Sequence, residues 1–322
     1  MSRTMENASI HKFFFLNGLQ ESGKNKSMYF YLTCVLYIVI ITMNVTIIIT
    51  VRVDKTLHEP MYIFLSHLCA NGLYGTVGFY PKFLLDLLSD VAVISYSMCL
   101  IQSIVIYSSA FCEITILTAM AFDRFVAICK PLQYHSILTS HLVLKILLLA
   151  WFYPLSMSVI VVALTVRVPI CGSFIGKLFC DIPSILKQGC YPTTVNRTFG
   201  IVLMVGQVIQ ALVIFVSYSQ IVQVCVESRE SRRRFTQTCL PHILAIFVSI
   251  MSLLFDLSYS WAGFTNLPLS LRNALGMQFL ILPPICNPLV YGLQLPQIRR
   301  AILKAYSKRK VSKNKCKDIR RH

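Results

Sequence analysis

Along the chain, residues other than Asp, Glu, Lys and Arg gather into seven long runs: 28–51, 61–81, 91–122 (broken only by Glu113), 146–166, 198–226, 235–255 and 273–298. Each reaches the roughly 20 residues that let an α-helix cross about 30 Å of hydrocarbon. Alternation of period two is absent, which argues against a membrane β-barrel. The pattern predicts an all-α fold, a seven-transmembrane helix bundle. The expected organisation is an N-terminal segment over 1–27, a membrane domain over 28–294 and a tail over 295–322. Residues 1–27 are polar apart from FFFL at 13–16, too short for a signal-peptide core, so the first span is expected to act as its own insertion signal.

Composition agrees: 56% of the 322 residues are hydrophobic and 13% charged, against about 25% charged in an ordinary soluble domain. Seven spans place the two ends on opposite sides. With the N-terminus outside, the inner segments hold Arg52 and Lys55, Arg124 and Lys130, Lys145, Arg229 with Arg232 to Arg234, and eleven bases of the tail, twenty of the thirty Lys and Arg. Positive residues favour the cytoplasmic side, so this orientation is expected. The net charge of +17 then suits anionic lipid and an acidic protein partner. Bases that flank hydrophobic spans do not suit nucleic acid.

The outer segments carry oxidisable and glycosylatable groups. Cys99 opens the third span, and Cys171, Cys180 and Cys190 share the loop 167–197. Four thiols in an oxidising compartment allow three pairings, and spacing does not choose among them. The sequon at Asn7 is the glycan candidate; those at Asn25 and Asn196 hug the bilayer.

The third span ends MAFDRFVAIC (120–129), an acid and a base at the inner membrane edge. An Arg there can simply snorkel to lipid phosphate, but intramembrane ion pairs generally face the bundle interior or water. The seventh span ends PPICNPLVYG (283–292), where Pro288 interrupts the helix ladder and Asn287 can re-satisfy freed groups. Together with seven spans, these motifs resemble the rhodopsin-like G-protein-coupled receptors. LHEPMYIFLSHL (57–68), MAFDRFVAICKPLQY (120–134), SYSQI (217–221), TCLPHI (238–243) and FCDI (179–182) narrow the resemblance to vertebrate odorant receptors. NGLYGTVGFYPKFLLDLLS (71–89) and FDLSYS (255–260) look closest to the fish-type branch.

That resemblance implies a switch. Arg124 is restrained at rest by Asp123 and freed when the sixth helix swings outward, with Tyr218 and Tyr291 then packing toward it. The cleft so opened takes the C-terminal helix of a heterotrimeric G protein of the stimulatory class, which raises cyclic AMP, and Leu132 docks into the same subunit. His242, near the inner end of the sixth span, is a packing or gating residue, and Asn287 and Pro288 shape the seventh. The resemblance also implies the disulfides Cys99–Cys180 and Cys171–Cys190. It implies a location in the plasma membrane of sensory cilia; the residues at membrane depth offer no paired carboxylates, metal-ligand cluster or nucleophile–base arrangement, so no enzymatic activity, cofactor or metal is expected. Phe125 and Gly72 depart from the superfamily, the latter where an Asp is common, so a sodium cage is not expected. Pro296 opens a tail segment with an apolar edge (Ile298, Ile302) and a basic one (Arg299, Arg300, Lys304), expected to form a short amphipathic helix on the inner leaflet.

Glu113 lies eleven residues before Arg124, about 1100° of helix, and so points inward on the same face; a protonated, hydrogen-bonded structural acid is the expectation. Steps of three and four upward from it reach Ala110, Tyr107, Ile106 and Ser103. Mapping by the motifs adds Phe199, Val202, Gly206 and Gln207, then Asp256 and Tyr259, then Met277 and Leu280, a mostly apolar set suited to a small-molecule odorant. Any one of them is as readily plain helix packing. Asp256 is a candidate partner for a cationic ligand or, equally, a solvated helix-end acid or a partner for Arg272. The alternatives are a related receptor for a metabolite or peptide, and a transporter or channel; the latter wants several ionisable groups along a path, and Glu113 stands nearly alone.

Overall fold

The computed structural model describes residues 13–16, 23–225, 229–262 and 269–304; inside the helices the side chains of 23–24, 225, 229–238, 241, 257–262, 269–270, 272 and 293–294 are outside that description. Asn7 and the tail beyond 304 therefore lie outside the described residues, and of Tyr259 only the helical backbone is described.

Among the described residues seven long helices form a bundle: α1 (Gly23–Val53), α2 (Pro60–Leu88), α3 (Tyr96–Cys129), α4 (Ser140–Val166), α5 (Thr194–Cys225), α6 (Arg229–Ala262) and α7 (Leu269–Gln294). Five of them, α1, α3, α4, α5 and α7, hold stretches long and apolar enough to cross a membrane, and α6 adds a shorter one, His242–Asp256. α1, α2 and α6 extend past their charge-free runs at both ends, whereas α3 begins at Tyr96, inside its run, and α7 stops at Gln294, short of the end of its run. Caps set several boundaries. Ser95 accepts from the amide of Met98 at 3.3 Å to start α3, and Thr139 from Leu142 at 3.3 Å to start α4.

Helix α3 is the hub, packed against α2, α4, α5 and α6. Small residues permit its closest approach: a Cβ on Gly75 of α2 would meet Ser109 Oγ at 2.3 Å, and one on Gly78 would meet Val105 at 2.9 Å. Asn71 Nδ2 donates to the Ser109 carbonyl at 3.0 Å across the same contact. In α7, Pro288 cannot donate to the carbonyl four residues earlier, that of Pro284. Asn44 of α1 donates to this carbonyl at 2.9 Å, so a side chain from a neighbouring helix replaces the lost bond.

One end of the bundle is tied by Cys99–Cys180 and Cys171–Cys190. A feature absent from the all-α expectation lies here: a three-stranded sheet in the order β2–β1–β3, made of β1 (Phe13–Leu16), β2 (Val93–Ser95) and β3 (Phe174–Ile175). β1 runs antiparallel to β2 and parallel to β3. FFFL is apolar throughout, so no alternation marks it as a strand; pairing on both edges and burial of Phe14 and Leu16 hold it there. At the opposite end, residues 296–304 are helical, with Ile298 and Ala301 in the main apolar core.

Candidate functional site

Near the disulfide end, α3, α4 and α5 enclose a cavity of about 90 Å³. Ser103, Tyr107 and Phe111 line it from α3, Ser158 and Val162 from α4, Leu203, Met204 and Gln207 from α5, and the short helix Ile182–Lys187 closes it. The wall is mostly apolar. Its polar points include Ser158 Oγ and Gln207 Oε1, both buried and without a hydrogen-bond partner among the described residues, so a ligand donor reaching either would satisfy a group already desolvated.

The expected ligand-contact residues divide. Ser103, Tyr107 and Gln207 line this cavity. Ser103 also donates to the carbonyls of Cys99 and Cys180, tying α3 to the loop beside the disulfide. Val202 is 60% exposed on the outer face of the bundle, and the neighbouring Leu203 turns inward instead. Gly206 faces the Tyr153 hydroxyl of α4, and Phe199 is half-buried outside the lining set. Ile106, Ala110 and Leu280 surround a separate space of about 20 Å³ beside Glu113, and Met277 packs on the same aromatic cluster as Phe79 and Phe279.

Asp256 is not a solvated helix-end acid. It is fully buried; its Oδ2 accepts from the Tyr107 hydroxyl at 3.0 Å and its Oδ1 from Lys177 Nζ at 3.1 Å. Lys177 also reaches Asp181 at 2.8 Å, and Asp181 caps the short helix through the Ser184 amide. A loop lysine thus plugs into the bundle between two carboxylates. Burial pulls its ammonium down, but Asp181 and then Asp256 more than offset that, leaving it above the ordinary lysine value. Sequence reasoning does not reach Lys177 and Asp181. Their signal is an i,i+4 pair in a loop, with a lone acid, Asp256, just past the end of the sixth charge-poor run.

Midway along α3, Glu113 Oε1 accepts from Ser249 of α6 at 2.7 Å and Asn287 of α7 at 2.8 Å. Gly72 leaves its place to Asn44 and Pro284, each within 4 Å of where a Cβ would stand. At the far end Asp123 is fully buried and holds Arg124 through Nε at 2.8 Å and a terminal guanidinium nitrogen at 2.5 Å. Its other oxygen accepts from the Tyr134 hydroxyl at 2.8 Å. Beside them Tyr218 contacts His242 Nδ1, whose ring lies 6.3 Å from that of Tyr291, and all three are buried. Leu132, on the turn Pro131–Gln133, is fully exposed.

Comparison with known proteins decides what this arrangement belongs to. Residues 33–309 match the olfactory receptor family. The chain is 33% identical to human olfactory receptor 6N1, covering 85% of this chain and 88% of that one, 31% identical to human olfactory receptor 51E1 (93% and 95%), and 30% identical to human olfactory receptor 4E1 (97% and 98%). The chain belongs to the olfactory receptor family. It is accordingly a G-protein-coupled receptor and a multi-pass membrane protein rather than an enzyme.

Proposed function

We propose that this olfactory receptor binds a small odorant in the cavity between α3, α4 and α5 and activates a heterotrimeric G protein of the stimulatory class, raising cyclic AMP. The disulfide end then faces outside the cell, and the Arg124 end and basic tail face the cytoplasm and its anionic lipid, with helix 296–304 on the inner leaflet and the protein placed in sensory cilia. The motifs 71–89 and 255–260 further suggest the fish-type branch. One observation supports this reading most: Tyr107 lines the cavity and also bonds Asp256 of α6, while the same α3 carries the Asp123–Arg124 pair at its other end. A ligand that disturbs Tyr107 acts on the α3–α6 contact, and α6 is the helix whose movement would uncover Arg124.

An odorant shifts such a receptor only by as much as it prefers the active arrangement. In this reading Asp123, Tyr134 and Arg124 form the resting lock, Tyr218, His242 and Tyr291 the groups that receive the freed guanidinium, Asn287 and Pro288 the bend in α7, and exposed Leu132 the docking point for the G protein. The test is Arg124→Ala in cells, with odorant-driven cyclic AMP read beside surface expression. Signal should vanish while the receptor remains at the surface; intact signalling defeats the assignment.

A further inference from the structure

We propose that the disulfide end carries a second binding site, separate from the cavity at Tyr107, that takes a small molecule bearing a primary ammonium group. A cavity of about 210 Å³ lies beside the three-stranded sheet, lined by Phe15 and Leu16 of β1, Phe174 of β3, Asp86 near the end of α2, Asp90 in the following turn and Lys26 of α1. Asp86 is the decisive residue. Its side chain is 4% exposed; one carboxylate oxygen pairs with Lys82, and the other, Oδ2, has no hydrogen-bond partner among the described residues. A buried, unsatisfied carboxylate oxygen is costly, and an entering ammonium supplies the donor it lacks.

The rest of the wall suits the same group. Asp90 adds a second, exposed carboxylate. Phe15 and Phe174, paired across adjacent strands, stack at 5.4 Å between ring centroids. An ammonium within about 6 Å of such a ring face gains a cation–π attraction. Lys26 donates to the Ser89 carbonyl at 3.0 Å. With Lys82, it balances the two carboxylates, so the attraction is local to Asp86 Oδ2 rather than a net field. A ligand that also bears a carboxylate would meet Lys26. Simple amines and amino acids therefore share the recognised group, and the site exists only while β1 lies between β2 and β3.

The test uses purified full-length receptor in lipid nanodiscs, with binding of benzylamine, benzyl alcohol and phenylalanine followed by saturation-transfer NMR; it needs no G protein and no odorant, so it stands apart from the proposed signalling. Benzylamine should bind and benzyl alcohol should not. Asp86→Asn should weaken benzylamine about tenfold, Asp90→Asn about threefold, and Met204→Trp, which fills the other cavity, should leave it unchanged. Tighter binding of phenylalanine, with the gain lost in Lys26→Gln, marks amino acids as the source; weaker binding marks simple amines, and either supports the site. Should Asp86→Asn not fold, Asp90→Asn and Phe174→Ala decide, both at exposed positions. The site is refuted if benzylamine does not bind, if benzyl alcohol binds equally, if the Asp variants bind benzylamine like the parent, or if Met204→Trp abolishes binding.

Discussion

The Tyr107 hydroxyl donates to Asp256 Oδ2 at 3.0 Å, joining α3 to α6 at the edge of the candidate odorant cavity. A hydrogen bond to a buried carboxylate contributes about 1.5–3 kcal/mol. Tyr107→Phe keeps the ring and removes the donor. It should lower the thermal stability of the odorant-free receptor and raise its basal cyclic AMP, since α6 loses a tether. Unchanged melting and unchanged basal signal would show that this bond does not restrain α6.

Lys177 sits between Asp181 and Asp256, at 2.8 and 3.1 Å. Removing one partner of a buried ion pair costs about 3–5 kcal/mol, because an uncompensated charge remains. Lys177→Met should therefore destabilise strongly, and adding Asp256→Asn should recover part of the loss. The folded pKa of Lys177 is raised, so its stabilisation is complete below the unfolded lysine value of about 10.4 and disappears as pH rises through the higher folded value. The melting difference between parent and Lys177→Met should be flat from about pH 7 to about pH 10 and shrink above. A difference that shrinks between pH 7 and 9 contradicts the pairing.

Gly75 of α2 stands where a Cβ would come within 2.3 Å of Ser109 Oγ and 3.0 Å of Ser109 Cβ. Overpacking of this kind costs about 1–3 kcal/mol. Gly75→Ala should lower the melting temperature, and Ser109→Gly in the same chain should restore part of it. Equal melting of parent and Gly75→Ala would mean α2 and α3 separate without cost.

Much of this architecture is legible in the amino-acid sequence. Runs free of Asp, Glu, Lys and Arg, apart from Glu113 in the third, mark the seven helices, because charge is the costliest thing to place in hydrocarbon. Glu113, eleven residues from Arg124, turns inward as that spacing predicts, onto Ser249 and Asn287. What the sequence does not display has physical reasons. α5 is apolar nearly all round, so no period tells Val202, which faces outward, from Leu203, which lines the cavity. The strand FFFL owes its form to partners some eighty and a hundred and sixty residues away, and the tether of Asp256 to Lys177 spans 79 residues. Local pattern carries neither.

In the proposed resting state Asp123 holds Arg124, and this hold can be tested without knowing the odorant. Asp123→Asn keeps the shape of the side chain and removes the charge that pairs with the guanidinium at 2.5 and 2.8 Å. Basal cyclic AMP, normalised to receptor at the cell surface, should rise several-fold, in keeping with a coupling of about 1–3 kcal/mol between the lock and the active state. Basal cyclic AMP equal to that of the parent, at equal surface level, would contradict it.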